Sequence, residues 1–458
     1  MQRIPFTSKA GPRPGLCGCL PVQRLCGMAL AAVLALQAIA GQAANAASPA
    51  TPQSAQGPLS LRDAVELAIA RHPDIARAQA EVAQGAAQVG EARAAWYPKL
   101  EYGVRPGYGG GYGANGNRAA TRASLGVSQL VYDFGRSASR ISAAQATLSQ
   151  KEHQVADSME SVAFQAAATY LELAASQDVI AAAQRQVDAL QQTLGKIVER
   201  VRAGLSLPSD RNLAELALLR AQAAAMKADT RYGVAAARFK ELTGVHAPRV
   251  EHLGAAAAQL RAPGHGGGDI EHTPAVRAAA AAVDAADARL RLADAERLPS
   301  ISVGANRALS TGRADATNDR WLGVQLTGSF SLGGLTQYQR AAADAALRAS
   351  RESLESQRLA TRSALEAAEA EAQGAAARRA GYDKLVALSR ASRDLYWQEY
   401  MLNKRTLTDV VNPERDIFDA EVESINALAD GSLARVKAWA AVGALVPQLG
   451  AQVAGRND

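Results

Sequence analysis

The chain has 458 residues, of which aromatics are 5% and phenylalanine numbers 6, thin for a conventional large core built on bulky side chains. Alanine dominates instead; it is the best helix former, and its small side chain lets helices approach closely on more than one face. The formal charge of +6 falls to +2 once Arg3, Lys9, Arg13 and Arg24 are set aside, which gives little reason to expect a nucleic-acid partner.

Those four basic residues belong to a leader. An apolar run over 28–40, too short to span a bilayer, is followed by Ala44-Asn45-Ala46, a small-x-small cleavage site. Residues 1–46 therefore read as a secretory signal peptide. Leu16-Cys17-Gly18-Cys19 resembles a lipoprotein box but precedes the apolar run, so it is discounted. Cys17, Cys19 and Cys26 all lie in the leader, and the expected mature chain has no disulfide and no thiolate site. Residues 47–58 read as a linker.

Beyond the linker the chain repeats itself. His72-Pro73 opens a Pro-free run closing at Trp96-Tyr97-Pro98, and His272-Thr273-Pro274 opens another closing at Leu298-Pro299, each proline 201 residues from its counterpart. Gly204 and Asp210 are echoed 199 residues later by Asn403 and Asp409. That period is too long for a solenoid and reads as a duplicated half-molecule. The predicted repeats are 59–245 and 273–449, joined by a segment at 246–272 and followed by a tail at 450–458.

Each repeat predicts the same elements: helix, β-hairpin, very long helix, turn, helix. Prolines are read as boundaries, since a helix tolerates proline only in its first turn. The Pro-free stretches 137–207 and 335–412 have apolar residues at helical spacing. Roughly 65 helical residues span ~100 Å, and such a helix needs lateral support. The hairpin strands fall at about 99–104 and 121–131, then 300–306 and 321–330. They alternate, with Ile301, Val303 and Ala305 on one face and Ser302, Gly304 and Asn306 on the other. One apolar face over about ten residues suits a strand of a membrane β-barrel. Closure takes about eight strands, so four must combine with those of other copies.

At these residues the chain resembles the TolC family of outer-membrane efflux and secretion channels. The resemblance rests on Leu59-Ser60-Leu61-Arg62-Asp63-Ala64-Val65 with His72-Pro73, and on Val131-Tyr132-Asp133-Phe134-Gly135 with Ser331-Leu332-Gly333-Gly334 in the second copy. It rests also on Tyr400-Met401-Leu402-Asn403-Lys404-Arg405-Thr406-Leu407-Thr408-Asp409-Val410-Val411. It covers about 59–449. The resemblance implies a homotrimer in which a 12-stranded β-barrel in the outer membrane continues into a 12-helix α-barrel across the periplasm. It also implies a periplasmic adaptor (membrane fusion) protein, an inner-membrane transporter, an exported polypeptide or small-molecule cargo, contact with outer-membrane lipid, and no cofactor. Within the family it runs towards type I secretion, including export of an adenylate cyclase toxin (cyclolysin).

Carried over residue by residue, the resemblance implies a periplasmic gate in which Asp210 meets Tyr400, and Asp210 or Ser209 meets Arg405. Asp409 would form an acidic ring at the constriction, with Asn412 where the family often carries a second acid. Less negative charge follows there. Gly204 and Asn403 mark the helix turns expected to contact the adaptor. The same acids have a plainer use, since Asp210 and Asp409 fall in first turns, where an acid favours the helix dipole, and Thr406 with Asp409 forms a capping-box variant.

Other features carry less. Gly107–Gly113 lacks the Gly-Lys-Ser/Thr ending of a phosphate cradle and reads as a barrel loop. His246, His252, His265 and His272 lie in the Gly/Pro-rich joining segment and read as a solvated belt rather than a metal site. Trp96, Tyr97, Tyr132 and Phe134 sit at strand–helix junctions, where aromatics favour a membrane interface. Arg378-Arg379 reads as solvated helix face. A periplasmic coiled-coil scaffold or adaptor without a pore is the competing reading, and the matched amphipathic strands argue against it. No catalytic constellation supports an enzyme.

Overall fold

The computed structural model describes residues 58–109, 118–245, 249–260, 270–311, 317–329 and 331–450. The expected signal peptide, His246 and His265 lie outside them. In chain order the elements are α1 (Leu61–Arg71), α2 (Pro73–Ala94), β1 (Lys99–Gly109), β2 (Arg118–Tyr132), α3 (Arg136–Arg202) and α4 (Pro208–Thr243). They continue with α5 (Leu253–Gln259), a 3-10 turn (Ile270–His272), α6 (Pro274–Ala295), β3 (Ser300–Thr311), β4 (Thr317–Thr327), α7 (Leu335–Met401), α8 (Leu407–Ala441) and α9 (Leu445–Gln448).

The duplication is carried into the elements. α2 and α6 have 22 residues each and start 201 apart; α3 and α7 have 67 each and start 199 apart. Their ends are set by local chemistry. His72 accepts a hydrogen bond from the Asp74 amide at the start of α2, Thr273 accepts from Val276 at the start of α6, and each helix has proline in its first turn. Asp133 accepts from the Ser137 amide at 2.7 Å, while Phe134 (φ 54°) and Gly135 (φ 90°) turn the chain from β2 into α3. That accounts for the Asp-Phe-Gly motif. Arg136 ties this junction to the second copy by donating to the Leu298 carbonyl at 2.6 Å.

α3 is the spine. It packs against α2, α4, α6 and α8, and α7 packs against α6 and α8. Contact this close needs small side chains, and Ala163, Ala166, Ala167, Ala174, Ala182 and Ala183 of α3 are buried. The main core lies around Tyr170 and Phe239, whose ring centroids are 6.3 Å apart. Tyr170 donates to the Leu59 carbonyl at 2.8 Å and accepts from the Glu251 amide, beside an isolated parallel bridge between Leu59 and Val250. The joining segment is thus partly core, since Val250, Leu253, Ala256 and Leu260 are buried there. His252, exposed as expected, pairs with Asp178 at 2.7 Å.

The four strands form one antiparallel sheet in the order β1-β2-β3-β4. Leu100, Tyr102, Val104, Leu125, Val127, Val303, Leu322, Val324 and Leu326 are exposed, and their register places them on one face. Polar side chains, among them Glu101, Arg105, Ser124, Asn306 and Gln325, line a hollow on the other. Trp321 lies on that polar side over Gly304 and Gly323, where an added Cβ would come within 3.1 Å of the indole. The outer strands β1 and β4 pair on one side only.

Several expected boundaries move. β1 runs through Pro106 to Gly109, because an edge strand can turn a residue without an N–H away from the ladder. β3 is longer than expected, and β4 spans 317–327 rather than 321–330, with Phe330 outside the described residues. Pro413 is no boundary: it is buried inside α8, which starts six residues earlier at Leu407, so the helix goes on past one missing backbone donor.

Candidate functional site

The two long helical hairpins end in turns of the same construction. After α3, Gly204 has φ 72° and the Leu205 amide returns to the Arg200 carbonyl at 2.8 Å. After α7, Asn403 has φ 58° and the Lys404 amide returns to the Glu399 carbonyl at 2.9 Å. Both are left-handed helix ends closed by a six-to-one hydrogen bond, for which glycine and asparagine are the suited residues. A small core of Ile197, Ala214, Tyr400, Leu407 and Val410 packs the two turns together.

Polar contacts cross between the turns. Tyr400 donates to Asp210 Oδ2 at 3.0 Å, and the Ser206 hydroxyl lies 2.9 Å from the Tyr400 hydroxyl. Burial, and then the Asp210 carboxylate, hold the Tyr400 phenol above its ordinary pKa although Ser206 opposes this, so it remains a proton donor at neutral pH. Arg405 goes elsewhere: within the chain its Nε donates to Glu399 at 2.8 Å and its guanidinium stacks 4.4 Å from the Tyr396 ring centroid. Hydrogen bonding to Glu399 raises its pKa further. The expected pairing of Arg405 with Asp210 or Ser209 is therefore not made within one chain, and Ser209 is exposed, outside the network.

Asp409 closes a capping box. Its Oδ2 accepts from the Thr406 amide at 3.1 Å and from the Thr406 hydroxyl at 2.8 Å. Within one chain these bonds hold its carboxyl below the usual carboxylate range. Asn412, three residues on and so on the same helix face, is exposed.

Sequence reasoning missed Arg200, Ser206 and Glu399. Arg200 and Glu399 are 199 residues apart, as are Ser206 and Arg405, so they hold matching repeat positions. Each turn carries one arginine–acceptor bond between those positions, with the arginine at opposite ends: Arg200 Nε to Ser206 Oγ at 3.1 Å, Arg405 Nε to Glu399 at 2.8 Å. The signal available was an arginine in the last turn of α3, four residues before Gly204.

Above the turns, charged side chains join three helices. Glu421 of α8 receives Arg185 of α3 at 2.8 Å and also Arg390 of α7, while buried Glu414 faces Arg393 of α7 at 3.4 Å. Burial raises the Glu414 carboxyl even so. No group of three or more metal-ligating side chains occurs among the described residues, and no helix among them is long and apolar enough to cross a membrane.

The outer membrane efflux protein family matches residues 64–245 and 270–444. The chain belongs to that family. It is similar in structure to the channel CusC, with TM-score 0.76 and 16% identity over 84% of this chain and 92% of that one. It is similar also to the outer membrane protein VceC of Vibrio cholerae, at 0.71 and 15% over 84% and 96%. The Neisseria gonorrhoeae outer membrane channel MtrE, in its open state, matches at 0.71 and 17% over 84% and 89%. No curated protein matches significantly in sequence. By its family the protein is an outer-membrane efflux protein, and its fold is that of the channels it resembles.

Proposed function

We propose that three copies of this chain form a passive exit duct, closed at rest where the helical hairpins turn. The observation that carries this is the sheet: four strands, two edges open to further pairing, one apolar face and one polar face. Open edges are a liability that barrel closure removes, and three chains would supply twelve strands with the apolar face towards lipid. The helices would continue the barrel, and the turns at Gly204 and Asn403 would face a periplasmic adaptor and an inner-membrane transporter. In this reading the link from Tyr400 to Asp210 favours the closed arrangement, Arg405 supplies a second link to a neighbouring copy, and Asp409 lines the constriction. MtrE has an open state, which supports a fold with two arrangements. The cargo is a polypeptide or a small molecule; the walls suit either, and selection belongs to the transporter.

Native mass of the detergent-extracted mature protein tests the assembly. Three chains are expected, with cysteines introduced on β1 and β4 cross-linking between chains and never within one. A monomer that shows no such cross-link would return the chain to a scaffold without a pore.

A further inference from the structure

Arg200, in the last turn of α3, reaches both turns at once. Within its own turn, Nε donates to Ser206 Oγ at 3.1 Å and Nη2 to the Leu205 carbonyl at 3.3 Å. Toward the other turn, Nη2 donates to Asn403 Oδ1 at 3.3 Å and Nη1 meets Met401 Sδ at 3.4 Å. The guanidinium carbon lies 5.3 Å from the centroid of the Tyr400 ring. Charged donors on several acceptors, with an aromatic face beside them, suit arginine and no other side chain.

The proton directions follow from what each group can do. A carboxylate only accepts, so the Tyr400 hydroxyl donates to Asp210. Its single proton is then committed, so the Ser206 hydroxyl donates to Tyr400. The Ser206 oxygen accepts in turn from Arg200, which only donates. One polarised chain thus runs from cation to anion, from Arg200 through Ser206 and Tyr400 to Asp210, and each bond strengthens the next.

We propose that Arg200 is a positioning residue of the gate, holding the two turns of one protomer together by anchoring this chain of hydroxyls; the proposal rests on the reading of the turn end as the gate. The bond from Tyr400 to Asp210 is then the last link of a four-residue tie. Arg200 acts on it through Ser206 and through Asn403.

Spin labels on Ala203→Cys and Leu402→Cys, in mature protein diluted with unlabelled copies, read the distance between the two turns of one protomer. The chain's three native cysteines all precede residue 27, so the labels are unique in the mature protein. Closed-state conductance is read on the same variants. The expected result is a narrow distance distribution that broadens in Arg200→Gln and in Ser206→Ala, with conductance rising several-fold and native mass unchanged. Arg200→Lys, which keeps the charge and loses the fork, restores only part. Arg200→Gln with Ser206→Ala should open no further than Arg200→Gln alone, because the chain is already cut. If Tyr400→Phe opens the channel while Arg200→Gln and Ser206→Ala leave distance and conductance unchanged, the role of Arg200 is overturned and the gate reading stands. If the turns separate in Arg200→Gln with no change in conductance from any variant, the gate reading fails and this proposal with it. Ser206→Ala removes one oxygen and keeps the test valid should Arg200→Gln fail to fold.

Discussion

Single residues here do opposite things with similar chemistry. Asp409 takes two bonds from Thr406 and is held more acidic, whereas Glu160, buried in α3, is pushed up to about 7, mainly by burial. Two backbone amides, from Leu445 and Val446, reach Glu160 at 3.0 and 3.2 Å and oppose that shift. They pin α9 to the spine through a group that is costly to ionise. A folded-state pKa above the unfolded value means the folded chain holds a proton that the unfolded chain has released. The stabilisation is therefore full below about 4.5 and lost as pH rises towards 7. The change is on the order of 3 kcal/mol. Thermal unfolding in detergent between pH 5 and 8 should show stability falling with rising pH, and Glu160→Gln should flatten most of that slope. An equal slope in the variant would place the titration elsewhere.

At the scale of elements, the ends of helices decide the architecture more than their middles do. α8 begins with the capping box of Thr406 and Asp409, and Thr406→Ala removes the acceptor of its third amide. The expected cost is about 1 kcal/mol, read as a lower unfolding midpoint, with faster hydrogen exchange confined to 407–410. Uniform exchange along α8 would show that the cap does not set the helix start. Much of this level was legible in the sequence. The 201- and 199-residue offsets, the His-Pro and Thr-Pro starts and the Gly204 and Asn403 stops all reappear as element ends, because proline and left-handed residues act locally. Pro413 and Pro106 misled for the same reason: the rule is local, but the surroundings of α8 and the edge position of β1 tolerate a missing N–H. Tyr400 and Asp210 came together only through the family resemblance, being 190 residues apart in sequence. Arg200 was legible only as a last-turn arginine, since its contacts with Asn403 and Met401 depend on how two hairpins lie side by side.

At the scale of the whole molecule, one chain is unfinished by its own physics. α7 buries far fewer residues than α3, although both have 67. Leu359, Leu385, Leu388 and Leu395 remain exposed along it, and Leu216, Leu219 and Met226 along α4. These rows and the two open strand edges are surfaces that further copies would cover. The duct reading makes assembly and closure one event: what joins the edges forms the pore, and what ties the turns shuts it. Single-channel conductance of the purified mature protein in a planar bilayer, wild type beside Asp210→Ala, tests this most directly. The account predicts a small steady conductance for the wild type and a several-fold larger one for the variant. Confirmed insertion with no conductance from either protein would contradict the duct, and equal conductance from both would contradict closure at the turns.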